Sequence, residues 1–260
     1  MKFSVITVTF NSGDKLNKTL ENILTQTFDD YEIIVKDGLS KDGSLEGIPK
    51  DERIKVFSEK DNGIYDAMNR AVSLASGDFV IFMNCGDYFY ETDVLSNVAA
   101  VIDEEPGHRI YYGDAFFRKA GEILPVPAKI TPDVCYRFVP CHQACFFDRH
   151  LWDNGGFDLN YKIRGDYEFF LRAYFAEHVD PLFTELVIAD YEGGGFSESK
   201  ENRARDKAEH EEITHKYMSK KTIRKNKLFL ALTLAPLRKY IAEESPLAGV
   251  YSKIKTMVYR

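Results

Sequence analysis

Residues 79–87 read FVIFMNCGD, and the fold can be worked out from this stretch. Its first five residues are apolar without interruption, which is too few for a helix and predicts a strand buried on both faces. The strand ends in small residues that carry one carboxylate, Asp87. Ligands of open α/β sheets bind beyond the carboxyl ends of the strands. Asp87 is therefore either a hard oxygen ligand of the kind that Mg²⁺ and Mn²⁺ prefer, or a turn residue that caps the next helix.

The residues before this stretch alternate between strand and helix patterns. Strands are predicted at 3–9, 32–36 and 54–57, and helices after Ser12, after Gly63 and over 92–102. Such alternation predicts an α/β fold with a mostly parallel sheet and right-handed crossovers. The strands that end near Thr9, Asp37 and Asn84 each run into a polar loop. We expect the three loops to meet at one edge of the sheet, where nucleotides usually bind.

The second half of the chain has fewer helices and ends in a basic tail. Strands are predicted at 109–117, 123–126, 144–147 and 182–189, and a helix from Asp166. Residues 198–224 form a charged helical pattern, followed by an apolar segment at 228–234. The net charge of −7 divides into about −16 for residues 1–212 and about +9 for the remainder. Because an excess of basic over acidic residues is confined to the last fifth of the chain, nucleic-acid binding is not expected.

Composition fits a globular protein of one large domain, with or without an appendage. The chain has 260 residues, of which 44% are apolar and 29% charged. No apolar signal segment and no run of about 18 apolar residues is present, so a cytoplasmic location is expected. The four cysteines fit a reduced compartment.

Several segments, taken in order, resemble family 2 glycosyltransferases of the GT-A fold, of the type that assembles bacterial polysaccharides. They are VITVTFN at 5–11, EIIVKDGLSKDGS at 32–44, EKDNGIYDAMN at 59–69, SGDFVIFMNCGD at 76–87, HQACFF at 142–147 and IRGDYEFFLR at 163–172. The resemblance covers residues 1–197. It implies a nucleotide-binding half at 1–105, an acceptor half at 106–197, and a basic helical extension at 198–260.

The resemblance also implies a reaction and its residues. Such enzymes transfer a sugar from a nucleotide-sugar to an acceptor hydroxyl with inversion. Asp166 matches the catalytic base, and Asp87 matches the last acid of the metal motif that binds Mn²⁺ or Mg²⁺. The predicted nucleotide-binding residues are Thr9, Phe10, Asn11, Asp37 and Gly63. The predicted contacts to the donor sugar or diphosphate are Asp66, Asn69, His142, Gln143 and Ser197.

Each donor contact has a structural alternative. Asp66 and Asn69 lie three residues apart, which is also the spacing of a solvated helix face. His142 and Gln143 fit a structural loop, and His142 with Cys141 and Cys145 fits a zinc site, although no second ligand pair follows. Ser197 closes a glycine-rich segment that either wraps the diphosphate or forms a hinge. Trp152 belongs either to the core or to the acceptor cleft.

Three positions depart from the family pattern. A single acid, Asp37, stands where many members have two in succession. The metal motif begins with Asn84 and has Gly86 before its acid, and the base motif has Gly165 where glutamate is usual. A single carboxylate is expected to bind a cation weakly unless the diphosphate supplies most of the ligands.

The expected activity is hexosyl or N-acetylhexosaminyl transfer in surface polysaccharide biosynthesis, with a UDP-sugar favoured over GDP- and dTDP-sugars on family frequency. The basic tail suits an anionic membrane surface on the inner face of the cell membrane, where a lipid-linked acceptor lies. Alternatively it is a helical hairpin packed on the body or on a second subunit.

The rival functions are a non-catalytic nucleotide-sugar-binding or scaffold protein, and a nucleotidylyltransferase. The latter would need a basic glycine-rich loop after the first strand, which residues 9–14 lack.

Overall fold

The structure is a computed structural model that describes residues 1–193 and 202–233. Its strands are β1 (Phe3–Thr9), β2 (Tyr31–Asp37), β3 (Ile54–Ser58), β4 (Phe79–Phe82), β5 (Tyr88–Phe89), β6 (Ile110–Phe117), β7 (Glu122–Leu124), β8 (Cys145–Asp148) and β9 (Leu182–Tyr191). Its helices are α1 (Asp14–Leu24), α2 (Ile64–Leu74), α3 (Val94–Glu104), α4 (Pro132–Arg137), α5 (Gly165–Leu171), α6 (Arg203–Tyr217) and α7 (Lys220–Leu232).

The strands form one sheet in the order β3-β2-β1-β4-β8-β6-β9-β5, with β7 paired to β6. The first four strands pair in parallel, as the strand–helix alternation predicts. β8 then runs antiparallel to both β4 and β6, and β9 returns parallel to β6. The region formed by β1 to β4 is thus purely parallel, whereas the remaining strands pair in both directions.

The sheet is covered on both faces, which explains the apolar character of its central strands. Every residue of β1 and β2 is buried. Alternate residues of β1 enter two separate cores: Phe3 and Val5 pack with α1 and α3, whereas Ile6 and Val8 pack with α2 and α5. This three-layer arrangement leaves the carboxyl ends of the parallel strands as the open edge.

The three polar loops meet at this edge, as predicted. The backbone N–H of Gly38 donates to Thr9 O over 2.9 Å, and that of Met83 donates to Ile6 O over 2.8 Å. The N–H of Asn11 donates to Ser40 Oγ over 2.8 Å. The edge is therefore one continuous hydrogen-bonded surface.

Two short elements were not predicted, because neither carries a local periodic signal. β5 has two residues and exists through pairing with the distant β9. α4 has six residues and starts behind Thr131, whose side chain accepts from Val134 N. A side-chain cap alone is a weak signal in so short a segment.

The charged helical pattern of the tail is divided into α6 and α7, which pack on the body. Ile213 of α6 and Ile223 of α7 are buried in the core on the α2 and α5 face of the sheet. The side chain of Ser219 accepts from Thr222 N and starts α7. The hairpin alternative of the sequence analysis is therefore confirmed for residues 203–232. Over the described part of the chain, no helix combines the length and apolarity that spanning a membrane requires.

Glu32 in β2 is buried, with 1% of its surface exposed, and supports a stability prediction. Its carboxylate accepts from Ser4 Oγ, Ser76 N and Lys55 Nζ. Burial raises the pKa of Glu32, but these hydrogen bonds outweigh burial and lower it to about 2. A depressed pKa stabilises the fold above the ordinary pKa, and this stabilisation is lost as the pH falls toward 2.

We expect Glu32→Gln to lower the free energy of unfolding at pH 7 by about 2 kcal/mol, a value discounted because Lys55 is half-exposed to solvent. The difference from the wild type should shrink between about pH 5 and pH 2. Urea unfolding across this range measures both effects. Glu59→Gln is the matched control, because Glu59 forms an exposed ion pair with Arg70. A Glu32→Gln difference that does not change with pH would contradict the assignment.

Candidate active site

A cavity of about 210 Å³ lies at the carboxyl edge of the sheet. Four of the predicted site residues line it together: Asp87, His142, Gln143 and Asp166. The other lining residues are Ile64, Tyr65, Asn84, Cys85, Lys162, Ile163, Tyr191, Glu192 and Gly193. The predicted residues Thr9, Phe10, Asn11, Asp37, Gly63, Asp66 and Asn69 lie outside this lining, and Ser197 lies outside the described residues.

Asp166 stands at the start of α5, and three groups fix its carboxylate. Oδ1 accepts from the Tyr65 hydroxyl over 3.1 Å and from the Tyr167 N–H over 2.8 Å, and Oδ2 lies 3.1 Å from His142 Nδ1. About a third of the side chain remains exposed. Burial raises the pKa of Asp166, but the hydrogen bond with His142 and those from Tyr167 and Tyr65 outweigh it, so the pKa lies below its ordinary value. Asp166 is thus an oriented, ionised carboxylate facing the cavity.

His142 connects Asp166 to the loop that follows β4. Its Nε2 lies 3.1 Å from Asn84 Nδ2, which can only donate, so Nε2 accepts. In the neutral imidazole the proton then sits on Nδ1 and is donated to Asp166 Oδ2. The same contact turns Asn84 Oδ1 away from His142, and this oxygen is buried without a hydrogen-bond partner. A buried acceptor of this kind is costly unless a ligand satisfies it.

Asp87 is 5% exposed and is held by two donors. Oδ2 accepts from Gln143 Nε2 over 3.0 Å, and Oδ1 accepts from the Glu192 N–H over 3.1 Å. Burial raises the pKa of Asp87 above its ordinary value, and the two hydrogen bonds only partly offset this increase. Gly86 makes this turn possible, because its φ is +98° and a Cβ there would lie 2.6 Å from the Glu192 carboxylate.

The charges and oxygen atoms that line the cavity fit a divalent cation whose remaining ligands come from a bound diphosphate. Its lining contains three carboxylates, those of Asp87, Asp166 and Glu192, against one ammonium, Lys162; outside the lining, Lys15 pairs with Glu192 at 2.6 Å, so the balance stays negative. A diphosphate would be repelled from this surface without a cation. Asp87 and the unsatisfied Asn84 Oδ1 are suitable hard oxygen ligands. Within the ranges 1–193 and 202–233, no group of three or more His, Cys, Asp or Glu side chains is placed to hold a metal ion. His142, Cys141 and Cys145 therefore form no such group, and a cation at this place would take most of its ligands from the substrate and water.

The predicted nucleotide-binding residues lie beside the cavity, around Gly38. Phe10 is 66% exposed, and its ring lies against Gly38. Asp37 is fully buried, and its carboxylate accepts from Leu39 N, Ser40 N and Ser58 Oγ. Burial raises the pKa of Asp37, but the hydrogen bonds from Ser40 and Ser58 bring it below the ordinary value. Asp37 therefore fixes the loop on which a base would rest.

Asp61 is a second acid at this place and was missed in the sequence. Its Oδ2 would lie 2.8 Å from a Cβ on Gly38, and it pairs with Lys36 Nζ at 3.8 Å. Lys36 is fully buried and also donates to the carbonyls of Asp37 and Glu59. The signal available in the sequence was an acid with no assigned role, two residues before Gly63, which immediately precedes α2.

Asp66 and Asn69 bond to protein groups rather than facing the cavity. Asp66 accepts from the Asn62 N–H and from Arg70 Nε. Asn69 Oδ1 accepts from the N–H of Phe157 and from Trp152 Nε1, and its amide donates to Phe157 O. Trp152 itself packs among Phe82, Phe157 and Phe169, so it belongs to the core.

Tyr65, one position before Asp66, and its neighbour Ile64 are the residues of α2 that line the cavity. The Tyr65 hydroxyl donates to Ile163 O over 2.8 Å and also contacts Asp166. From the helical spacing, only the polar residues Asp66 and Asn69 of α2 were predicted to contact the donor. Tyr65 was not, because a tyrosine on a helix has the same sequence pattern whether it lies in the core or in a site. Glu192 and Lys162 were missed because nothing in their local sequence relates them to Asp87 or Asp166.

Comparison with known proteins places the chain in a family. Residues 4–148 match the sequence signature of Glycosyl transferase family 2. The chain is 33% identical over 202 residues to a PGL/p-HBAD biosynthesis glycosyltransferase of Mycobacterium bovis (strain BCG / Pasteur 1173P2), which covers 75% of this chain and 78% of the relative. The chain therefore belongs to glycosyl transferase family 2.

Solved structures confirm the predicted GT-A fold. The crystal structure of S. aureus TarS 1-349 in complex with UDP-GlcNAc matches with a TM-score of 0.61 at 22% identity, covering 75% of this chain but only 59% of that one. The mannosyltransferase PcManGT from Pyrobaculum calidifontis, in complex with GDP-Man and Mn²⁺, matches with a TM-score of 0.66 at 17% identity, covering 99% and 80%.

Proposed function

We propose that this family 2 glycosyltransferase moves a hexosyl or N-acetylhexosaminyl group from a UDP-sugar to an acceptor hydroxyl, with inversion, in surface polysaccharide biosynthesis. The observation that carries the proposal is the convergence of Asp166 and Asp87 on one cavity. The first is an oriented, ionised base, and the second is a buried acid beside an unsatisfied amide oxygen. Proton removal and diphosphate binding are the two tasks that such a transfer needs.

Asp166 is assigned the proton-transfer step. An attacking hydroxyl becomes acidic as it bonds to the anomeric carbon, and a carboxylate within hydrogen-bond reach accepts its proton. Tyr65 and His142 hold the carboxylate in a fixed direction, so little reorganisation is needed when the proton moves. A single displacement by the acceptor inverts the anomeric configuration, and it requires only this one base.

Asp87 and Asn84 are assigned to the leaving-group side. A Mn²⁺ or Mg²⁺ ion held by these two residues would neutralise the charge that grows on the diphosphate as the glycosidic bond breaks. Gln143 and the N–H of Glu192 orient Asp87 for this role. His142 orients Asn84 through the same hydrogen bond that fixes its own tautomer.

The loop around Gly38 is assigned to the nucleobase. The exposed Phe10 ring offers a stacking surface, and Asp61 is an acceptor beside it. Thr9, Asn11 and Gly63 complete this surface in the proposal. The TarS structure holds UDP-GlcNAc and the PcManGT structure holds GDP-Man, so proteins of this fold take both bases. We infer uridine for this chain from family frequency.

The test is UDP release from a panel of UDP-hexoses and UDP-N-acetylhexosamines, with Mn²⁺ or with EDTA. We expect release from at least one donor with Mn²⁺ and none with EDTA. Release only from GDP- or dTDP-sugars would preserve the mechanism and change the donor. Nucleotide binding without release from any donor, with water or saccharides as acceptors, would favour the non-catalytic alternative.

We further propose that α7 rests on an anionic membrane surface, where a lipid-linked acceptor would lie. Leu228 and Leu232 are 60% and 74% exposed, although both are large and apolar. Lys221 and Arg224 precede them on the same side of the helix, and α7 contains no acidic residue. A basic and apolar surface on an otherwise acidic protein suits an anionic lipid headgroup region.

We expect the intact protein to float with vesicles that contain phosphatidylglycerol at low salt. The double variant Leu228→Ser/Leu232→Ser should float several-fold less, because the apolar contribution to membrane binding is lost. Leu159→Ser is the matched control, since Leu159 is another exposed leucine. Equal flotation of the double variant and the control would overturn the assignment of this surface.

A further inference from the structure

The segment that precedes Asp166 is held by one carboxylate from the tail. The backbone N–H groups of Lys162, Ile163 and Arg164 all donate to the Glu209 side chain in α6, over 3.0, 3.0 and 2.9 Å. Glu209 is 6% exposed. Successive N–H groups that converge on one anion form a strong, charge-assisted arrangement. The backbone that leads into Asp166 is therefore held in place by a side chain of the tail helix α6.

The tail also holds the residues that follow Asp166. The buried Glu168 accepts from Lys216 Nζ over 2.8 Å and from the Tyr217 hydroxyl over 2.5 Å. The ring of His210 stacks on that of Tyr167 at 5.3 Å. α6 thus contacts the backbone before Asp166 and the side chains after it.

We propose that α6 is a positioning element for the catalytic base, and that Glu209 is its principal positioning residue. Glu209 does not line the cavity, so it acts through the backbone of Lys162 and Ile163, which do. Small displacements of a catalytic group cost large factors in rate because the reacting atoms must be aligned. Here the tail is part of the active-site framework, in addition to any role at a membrane. The rate effect rests on the proposed function of Asp166, whereas the hold on the backbone does not.

The variant that tests the proposal is Glu209→Gln, which keeps the shape of the side chain but replaces one oxygen with a donor group. That amide faces the N–H groups it should accept from, so residues 162–164 lose part of their anchoring. Glu211→Gln is the matched control, because Glu211 lies on the same helix in an exposed ion pair with Lys227. Circular dichroism and the thermal midpoint establish that both variants are folded. Should Glu209→Gln not fold, Tyr217→Phe, which removes one donor to Glu168, takes its place.

The first readout is hydrogen–deuterium exchange of peptides that cover residues 160–170, with no ligand present. We expect exchange there to rise at least about tenfold in Glu209→Gln and to stay unchanged in Glu211→Gln, since the broken hydrogen bonds protect these amides. For Tyr217→Phe the faster exchange is expected after Asp166, at 167–170. Wild-type exchange rates in the folded variant would overturn the proposal.

The second readout is UDP release together with UDP affinity in the presence of Mn²⁺. We expect the kcat of Glu209→Gln to fall about 10- to 100-fold, with the Kd for UDP within about twofold of wild type. An unchanged kcat, or a loss of UDP affinity equal to the loss of kcat, would overturn the positioning role. If wild type released UDP from no donor, the proposed function would fail by itself, and the exchange comparison would still decide whether Glu209 anchors the segment.

Discussion

Replacing Asp166 with asparagine is expected to lower kcat by about 10²–10⁴-fold, because the variant cannot accept the proton of the attacking hydroxyl. Asparagine keeps the size of the side chain and can still accept from Tyr65 and from the N–H of Tyr167. The Kd for UDP with Mn²⁺ should stay close to that of wild type, since Asp166 is assigned to the acceptor step alone. Steady-state kinetics and nucleotide titration of the same preparation measure both quantities.

Tyr65→Phe is the control that separates the base from its orientation. It removes the hydroxyl whose single proton is shared between Ile163 O and Asp166 Oδ1, but it leaves the carboxylate. We expect a loss of about tenfold, smaller than that of Asp166→Asn. If Asp166→Asn retained more than a tenth of the wild-type kcat, another group would have to be the base.

Replacing Asp87 with asparagine is expected to lower UDP release about 10²-fold or more at a fixed Mn²⁺ concentration. A Lewis acid at a developing phosphate charge contributes several kcal/mol, and about 1.4 kcal/mol corresponds to each tenfold in rate. The Mn²⁺ concentration for half-maximal activity should rise by at least about tenfold, since one of the two protein ligands loses its charge. A titration of rate against Mn²⁺ measures both.

Asp66→Asn is the matched control for this variant. The sequence placed Asp66 at the donor, whereas its carboxylate pairs with Asn62 and Arg70 outside the cavity. We expect its Mn²⁺ dependence to equal that of wild type. An Asp87→Asn enzyme with an unchanged Mn²⁺ dependence would remove Asp87 from the cation site.

The parallel half of the fold could be predicted from the sequence because its signals are local. Uninterrupted apolar runs such as 79–83 require burial on both faces, and amphipathic segments between them require helices. The meeting of three polar loops then follows from the direction of the strands. Asp87 was singled out by its position after the buried strand, whereas Asp166 and the roles of both residues came from the resemblance. Both side chains line one cavity.

The remainder depends on contacts between distant residues. Tyr65 bonds to Ile163 and Asp166 across about a hundred positions, and Glu192 reaches Asp87 from the last strand. The tail was interpreted as a separate surface element because its charge and pattern are local properties. Nothing in the sequence of α6 relates Glu209 to the backbone of residues 162–164, since a buried glutamate and an exposed one look alike in a charged helix.

The central claim is a cation-dependent nucleotide-sugar site, and calorimetric titration of UDP into the wild-type protein tests it most directly. The titration is run with Mn²⁺ and again with EDTA, and GDP, dTDP and CMP follow under the same conditions. The account predicts that UDP binds with Mn²⁺, binds at least about tenfold more weakly with EDTA, and binds more tightly than the other nucleotides. Absence of binding for all four nucleotides in the presence of Mn²⁺ would contradict it.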